Sequence, residues 1–245
     1  MKILAMDTSN ITLSVAVLDD NQLLAMQTTN IKKNHSKQLM PIIQKTLQAA
    51  QTDLADINRI VVAKGPGSYT GLRIAVTTAK TLAYALNVDL VGISSLESLV
   101  LNAPNDGIVV PFFDARNDNV FAGIYKKEGN QITNLLEDQH MGFADLLLKI
   151  NEFGKSVYFV TNAYEKFRTA VENTLTVVPN HSLEVNSLPN AYALGILGYL
   201  SQKTENVFTF VPSYLRVTEA ERNWKEKHPN DENKESYVQQ SNQMG

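Results

Sequence analysis

KILAMDTSNITLSVAVL (residues 2–18) and IVVPFFDARNDNVFAGIY (residues 108–125), read side by side, decide the fold. Each opens with a short apolar segment that ends on an aspartate, Asp7 in the first and Asp114 in the second. A polar turn follows, Thr8-Ser9-Asn10 or Arg116-Asn117-Asp118, and a second apolar segment begins six residues after the aspartate, at Leu13 or Val120. Working outward, the first copy continues with a strand over Leu23–Thr28, a helix over Ser36–Ala50 and a strand over Arg59–Lys64. A helix over Thr70–Leu86, a strand over Asp89–Ile93 and a short helix over Ser94–Leu101 complete it. The second copy repeats the order: a strand over Gln131–Leu136, a helix over Phe143–Phe153, a strand over Val157–Val160, a helix over Tyr164–Asn173, a strand over Leu175–Val178 and a helix over Ala191–Gln202. Alternation marks the strands, and apolar residues three and four apart mark the helices.

A duplicated β-β-β-α-β-α-β-α order has a specific structural meaning. An antiparallel meander joined to helix-crossed parallel strands makes a mixed five-stranded α/β sheet with helices on both faces. Such a unit resembles the ribonuclease-H-like lobe. Two of them resemble the actin, Hsp70 and sugar-kinase (ASKHA) superfamily, whose members hold nucleotide between the lobes. The expected organisation is a first lobe over residues 1–103, with the helix at 190–203 packing back on it, and a second, degenerate lobe over 104–217. A charged tail follows over 218–245, where signs alternate and apolar residues almost vanish, so it reads as disordered or as a solvated helix.

Composition narrows the function. The 245 residues suffice for a large core. The net charge of −3 gives no general pull toward nucleic acid or membranes. With no cysteine, disulfides, thiolate metal sites and a cysteine nucleophile are excluded. No stretch approaches the length of a membrane span, and the short apolar start interrupted by Asp7 does not fit a signal peptide, so a cytoplasmic protein is expected. The four histidines, His35, His140, His181 and His228, lack the i, i+4 pairing of a helical zinc site, so no metal is expected.

Residues 65–73, Gly-Pro-Gly-Ser-Tyr-Thr-Gly-Leu-Arg, lie between a strand and a helix and admit two readings. One is a phosphate cradle at a helix N-terminus; the other is a corner where backbones meet closely. The spacing fits neither a P-loop nor the dinucleotide fingerprint. Ser68 lacks the flanking glycines of a serine elbow, and no catalytic residue is assigned. Asp7, Thr8, Ser9, Gly65, Gly67, Ser68 and Asp114 form the candidate nucleotide set, set against turns whose Asp, Ser and Thr side chains bond their own backbone.

The two helices of the first lobe carry a second candidate site. Leu39, Ile42, Ile43 and Leu47 form one stripe; Leu72, Ala75, Val76, Ala79, Leu82 and Ala83 give the other helix a wide apolar arc. These ten residues read either as lobe core or as a face for a partner subunit.

Asp7-Thr8-Ser9, the run from Gly65 to Arg73, Ser94-Ser95-Leu96, Asp114-Ala115-Arg116 with Asp118, and Pro212-Ser213-Tyr214-Leu215-Arg216 together resemble the TsaB (YeaZ) family of bacterial tRNA threonylcarbamoyladenosine biosynthesis proteins. The resemblance spans about residues 1–217. It implies a non-catalytic subunit that binds and organises the paralogous catalyst TsaD in a heterodimer. The TsaE ATPase joins that assembly, and threonylcarbamoyl is transferred to adenosine 37 of tRNA. It also implies contact with tRNA only through the complex, and no cofactor in the lone protein, with ATP or ADP and Mg²⁺ confined to the complex. Where TsaD carries a metal-binding histidine pair, the matching positions here are Ser94 to Ser98, without histidine. The alternative is a nucleotide-binding ATPase or phosphotransferase of the actin-kinase superfamily. Stoichiometry, and homodimerisation of the free protein through the same face, stay open at this level.

Overall fold

The computed structural model describes residues 1–31 and 34–216. Its first sheet contains β1 (Lys2–Asp7), β2 (Leu13–Asp19), β3 (Gln22–Thr29), β4 (Arg59–Gly65) and β5 (Asp89–Ser94), in the order β3-β2-β1-β4-β5. Its second contains β6 (Gly107–Asp114), β7 (Asn119–Glu128), β8 (Gln131–Gly142), β9 (Val157–Val160) and β10 (Asn180–His181), in the order β10-β9-β6-β7-β8. In both, the meander strands pair antiparallel and the later strands add in parallel. The two lobes are therefore ribonuclease-H-like and share one strand order, as the repeat predicts.

Period-two alternation sorts each strand between two helical layers. Leu4 and Met6 of β1 face α1 (His35–Ala49) and α2 (Tyr69–Leu86), with Val15, Val17, Ile60 and Val62 beside them. Ile3 and Ala5, with Ala16, Leu18, Val61 and Val91, face α6 (Ala191–Leu200). In the second lobe, Val110, Phe112 and Phe159 pack with α4 (Phe143–Glu152) and α5 (Tyr164–Thr174). Val109, Phe113, Tyr125 and Val160 pack instead against Leu96, Leu99 and Val100 of α3 (Ser95–Val100). Each lobe thus takes a helix from the other half of the chain: α3 covers the second sheet, α6 the first.

Several boundaries differ from expectation. Asn34, not Ser36, caps α1, its side chain accepting from the Ser36 amide, and the helix continues through exposed Pro41. Leu175–Val178 is not a strand: Val178 is 86% exposed, and the chain pairs with β9 only at Asn180–His181. β8 runs six residues beyond Leu136, to Gly142. As an edge strand it needs no apolar outer face, so the polar stretch Glu137-Asp138-Gln139-His140 is compatible with the ladder. The expected tail lies outside the described residues. Among the described residues no helix is long and apolar enough to cross a membrane.

Candidate functional site

The glycine run and the first aspartate turn meet at the carboxyl ends of β1 and β4. Ser68, the N-cap of α2, accepts from the Gly71 amide through its side chain at 3.3 Å, while its own amide donates to the Ser9 carbonyl at 2.7 Å. Thr8 Oγ1 donates to the Gly71 carbonyl at 2.7 Å. A Cβ on Gly71 would collide with the Thr8 carbonyl oxygen, and one on Gly67 with the Ser9 carbonyl oxygen. Gly65 has φ +117°, and a Cβ there would lie 2.5 Å from the Ser213 carbonyl oxygen. The glycines therefore admit protein backbone, not phosphate.

Asp7, Thr8 and Ser9 are buried against this corner. Asp7 Oδ1 accepts the Ser9 amide at 2.7 Å, whereas among the described residues Asp7 Oδ2 and His35 Nδ1 have no hydrogen-bond partner. Burial pushes the Asp7 carboxyl above the usual carboxylate range; the Ser9 amide and the nearby His35 oppose this only in part. Six of the seven candidate nucleotide residues, Asp7, Thr8, Ser9, Gly65, Gly67 and Ser68, are brought together, but the space among them is closed by their own backbone. The seventh, Asp114, is exposed on the second lobe, where Lys166 Nζ donates to it at 2.7 Å and the Arg116 amide at 2.9 Å. Burial would raise its pKa, but the Lys166 and Arg116 interactions outweigh that and hold it low.

A strap, Pro212–Arg216, joins these two turns. The Ser213 amide donates to the Lys64 carbonyl at 2.7 Å, the Tyr214 ring lies 4.7 Å from that of Tyr69, and Arg216 Nη1 donates to the Ala115 carbonyl at 3.0 Å. The strap crosses from the glycine corner to the second aspartate turn. Arg116, Asn117 and Asp118 all have left-handed φ, of 68°, 50° and 54°, an unusual run for non-glycine residues.

The helix pair corrects the sequence reading. Leu39, Ile43, Leu47, Leu72, Ala75, Val76, Ala79, Leu82 and Ala83 are buried within the core of their own lobe, and Ile42 is half-buried against it. The arc on α2 is a single stripe facing the sheet, so these ten residues do not form an open face. What the pair presents outward is a groove of about 500 Å³ lined by Ser36, Met40, Tyr69, Arg73, Ile74 and Thr77 among others. Met40 is 49% exposed and Tyr69 41%. Periodicity identifies the helices but not which arc meets the sheet, because α2 has apolar residues on both.

At the lobe junction the structure joins Ser94 to Asp138 and Tyr125, two residues that sequence reasoning passed over. Ser94, the N-cap of α3, accepts from the Leu96 and Glu97 amides at 3.1 Å each and donates to Asp138 Oδ2. Tyr125 Oη donates to Asp138 Oδ1 at 2.5 Å. No histidine stands at Ser94–Ser98, and among the described residues no three His, Cys, Asp or Glu side chains are placed to hold a metal.

Two lobes of this strand order, with exchanged covering helices, define an α/β protein of two ribonuclease-H-like lobes. A family model for TsaD, tRNA N6-adenosine threonylcarbamoyltransferase, matches residues 22–224. The TsaB protein of Bacillus subtilis (strain 168), a tRNA threonylcarbamoyladenosine biosynthesis protein, is 38% identical over 91% of this chain and 98% of its own. The TsaB of Escherichia coli (strain K12) is 33% identical over 54% of this chain and 58% of its own. The solved structure of YeaZ from Pseudomonas aeruginosa superposes with a TM-score of 0.72 at 22% identity, covering 87% of this chain and 99% of that one. The chain belongs to the TsaB family of tRNA threonylcarbamoyladenosine biosynthesis proteins.

Proposed function

We propose that this protein is the non-catalytic partner that binds and organises a TsaD paralogue for threonylcarbamoyl transfer to adenosine 37 of tRNA. The observation that carries the proposal is the groove between α1 and α2, where Met40 and Tyr69 are exposed beside half-buried Ile74, outside a helix pair whose inner face is already buried. The TsaD family model covers both helices, so a paralogue built the same way would present the same face in return about a pseudo-twofold axis. Met and Tyr at the centre of a patch suit desolvated contact. In the absence of the paralogue, a second copy of this chain would use the same face. TsaE would join the assembled pair, and ATP or ADP with Mg²⁺ would be held there with residues from a partner. With a net charge of −3, tRNA would be reached only through the complex.

The test is co-purification with the TsaD paralogue. The Met40→Glu, Thr77→Glu double variant, at two exposed positions of the groove, is expected to lose TsaD while keeping its circular dichroism and melting temperature. Retained binding at wild-type strength would overturn the docking face. Ala79→Glu is not informative about docking, because it places an unpaired charge in the core.

The second reading is a nucleotide-binding enzyme. It is favoured by one observation: Asp7 Oδ2 and His35 Nδ1 are buried without a hydrogen-bond partner among the described residues. Calorimetry with Mg·ATP on the lone protein separates the two readings.

A further inference from the structure

The groove between α1 and α2 is apolar at its centre and cationic at its rim. Met40 and Tyr69 are exposed there beside half-buried Ile74, and exposed Arg73 stands one turn along α2 from Tyr69. The Arg73 guanidinium lies over the Tyr69 ring at 5.2 Å and donates to the Tyr69 hydroxyl at 3.1 Å. Among the described residues it has no carboxylate partner. A groove of about 500 Å³ is large enough to enclose one aromatic side chain. This surface suits a segment that brings an aromatic anchor together with an acid.

The chain itself delivers such a segment beside the groove. The Tyr214 ring lies 4.7 Å from the Tyr69 ring, and Arg216, two residues on, is the last described residue. In the sequence that follows, Val217-Thr218-Glu219-Ala220-Glu221-Arg222-Asn223-Trp224-Lys225-Glu226-Lys227, the only apolar residues are Val217, Ala220 and Trp224. Their i, i+3, i+7 spacing is that of the anchors of a helix laid in a groove. Glu221 falls four residues after Val217 and three before Trp224, so it borders the same stripe and can meet Arg73. Trp224 lies eight residues beyond Arg216. That is a span of about 12 Å as helix and up to about 27 Å extended, so reach sets no obstacle.

We propose that in the free chain residues 217–227 fold back onto this groove, with Trp224 seated against Met40 and Tyr69 and Glu221 paired with Arg73. Tethering makes a weak contact sufficient, because a short flexible link presents the segment at roughly millimolar effective concentration. The indole leaves water, and the one groove cation without a carboxylate gains one. The seat is a property of the lone chain. Its regulatory meaning, that the catalytic paralogue must displace Trp224 in order to dock, rests on the proposed function.

The test is acrylamide quenching of the Trp224 emission in the dilute full chain, which contains no other tryptophan. In the native wild type the quenching constant is expected to be severalfold below that of the same chain in urea, with the emission at shorter wavelength. Arg73→Glu should raise the constant toward the urea value. Combining Arg73→Glu with Glu221→Arg should restore the shielding, a rescue that a general disturbance of the fold would not give. Met40→Glu should expose Trp224 with the circular dichroism unchanged. A native wild-type constant equal to the urea value overturns the seat. So does shielding that survives both Arg73→Glu and Met40→Glu, which would put Trp224 on another surface. Shielding lost on dilution also overturns it, because the occupant would then be a second copy. Trp224→Ser should bind TsaD about tenfold more tightly than wild type, the factor expected when about a tenth of the free chain has an open groove. Unchanged affinity overturns the displacement. Retention of TsaD by the Met40→Glu, Thr77→Glu variant would instead remove the docking reading and leave the seat, which the emission of the lone chain reads by itself.

Discussion

Thr8 Oγ1 donates a 2.7 Å hydrogen bond to the carbonyl oxygen of Gly71, 63 residues away, and both partners are buried. That single bond fixes the first aspartate turn against the glycine corner. Together with the bond from the Ser68 amide to the Ser9 carbonyl, it makes the corner a joint between backbones.

Gly71→Ala is expected to be severe, because the added methyl meets a backbone carbonyl that a side-chain rotation cannot move aside. Overpacking at a well-filled site costs about 1–3 kcal/mol, and a backbone obstacle belongs at or above the upper end. Thr8→Val should cost about 1 kcal/mol, by removing the buried bond from Thr8 Oγ1 to the Gly71 carbonyl, which keeps its partner within α2. Urea denaturation of the two variants checks the order; a Gly71→Ala protein as stable as wild type would show that the corner has slack.

The lone protein should bind Mg·ATP no more tightly than the millimolar range. The amide of Ser68 is already donated to Ser9, and the space at Gly67 and Gly71 is filled by the carbonyls of Ser9 and Thr8. Isothermal calorimetry checks this. Micromolar binding that disappears in Asp7→Ala would reinstate the first aspartate turn as a nucleotide site.

How far the sequence could be read is clearest at this corner. The spacing of Gly65, Gly67 and Gly71 rules against known phosphate loops, and the two mixed five-stranded sheets follow from the repeated aspartate turns. The ten apolar residues of α1 and α2 were legible as important but not as inward-facing, since a stripe has the same period whether it meets a sheet or a partner. Asp138 escaped notice because it lies in a polar stretch of an edge strand, and because its partners Ser94 and Tyr125 are 44 and 13 residues away. Leu175–Val178 misled for the opposite reason: β-branched residues favour strands, but here no neighbouring strand is in reach until Asn180.

Asp7→Asn should stabilise the protein at neutral pH. The folded-state pKa of Asp7 is raised, chiefly by burial. The folded protein therefore binds more protons than the unfolded chain between the ordinary and the raised values. The associated stability is fully present below the ordinary carboxylate range and is lost as pH rises through the raised pKa. Asparagine keeps the acceptor for the Ser9 amide without the charge. The advantage of the variant should shrink as the pH is lowered through the raised pKa and level off below about 3, where Asp7 is neutral in both states. Parallel stability curves for wild type and variant across that range would refute the assignment.

Ser94→Ala removes an N-cap and one of the two donors to Asp138. The lost cap costs about 1 kcal/mol, and the under-satisfied carboxyl about 1–3 kcal/mol more. A thermal melt reads the sum; a loss no larger than the cap alone would mean that Asp138 finds another donor.

The exchange of covering helices has a consequence for how the chain is made. Ile3, Ala5 and Val61 emerge from the ribosome early, yet their sheet face is closed by Leu194, Ile196 and Leu197, and the glycine corner is completed by Ser213. A nascent chain that has delivered every strand of the first sheet still holds an uncovered apolar surface. It must wait for nearly a hundred further residues, those of the second lobe, before α6 arrives. Folding in step with translation therefore ends where it began, and the first lobe is the last to be finished.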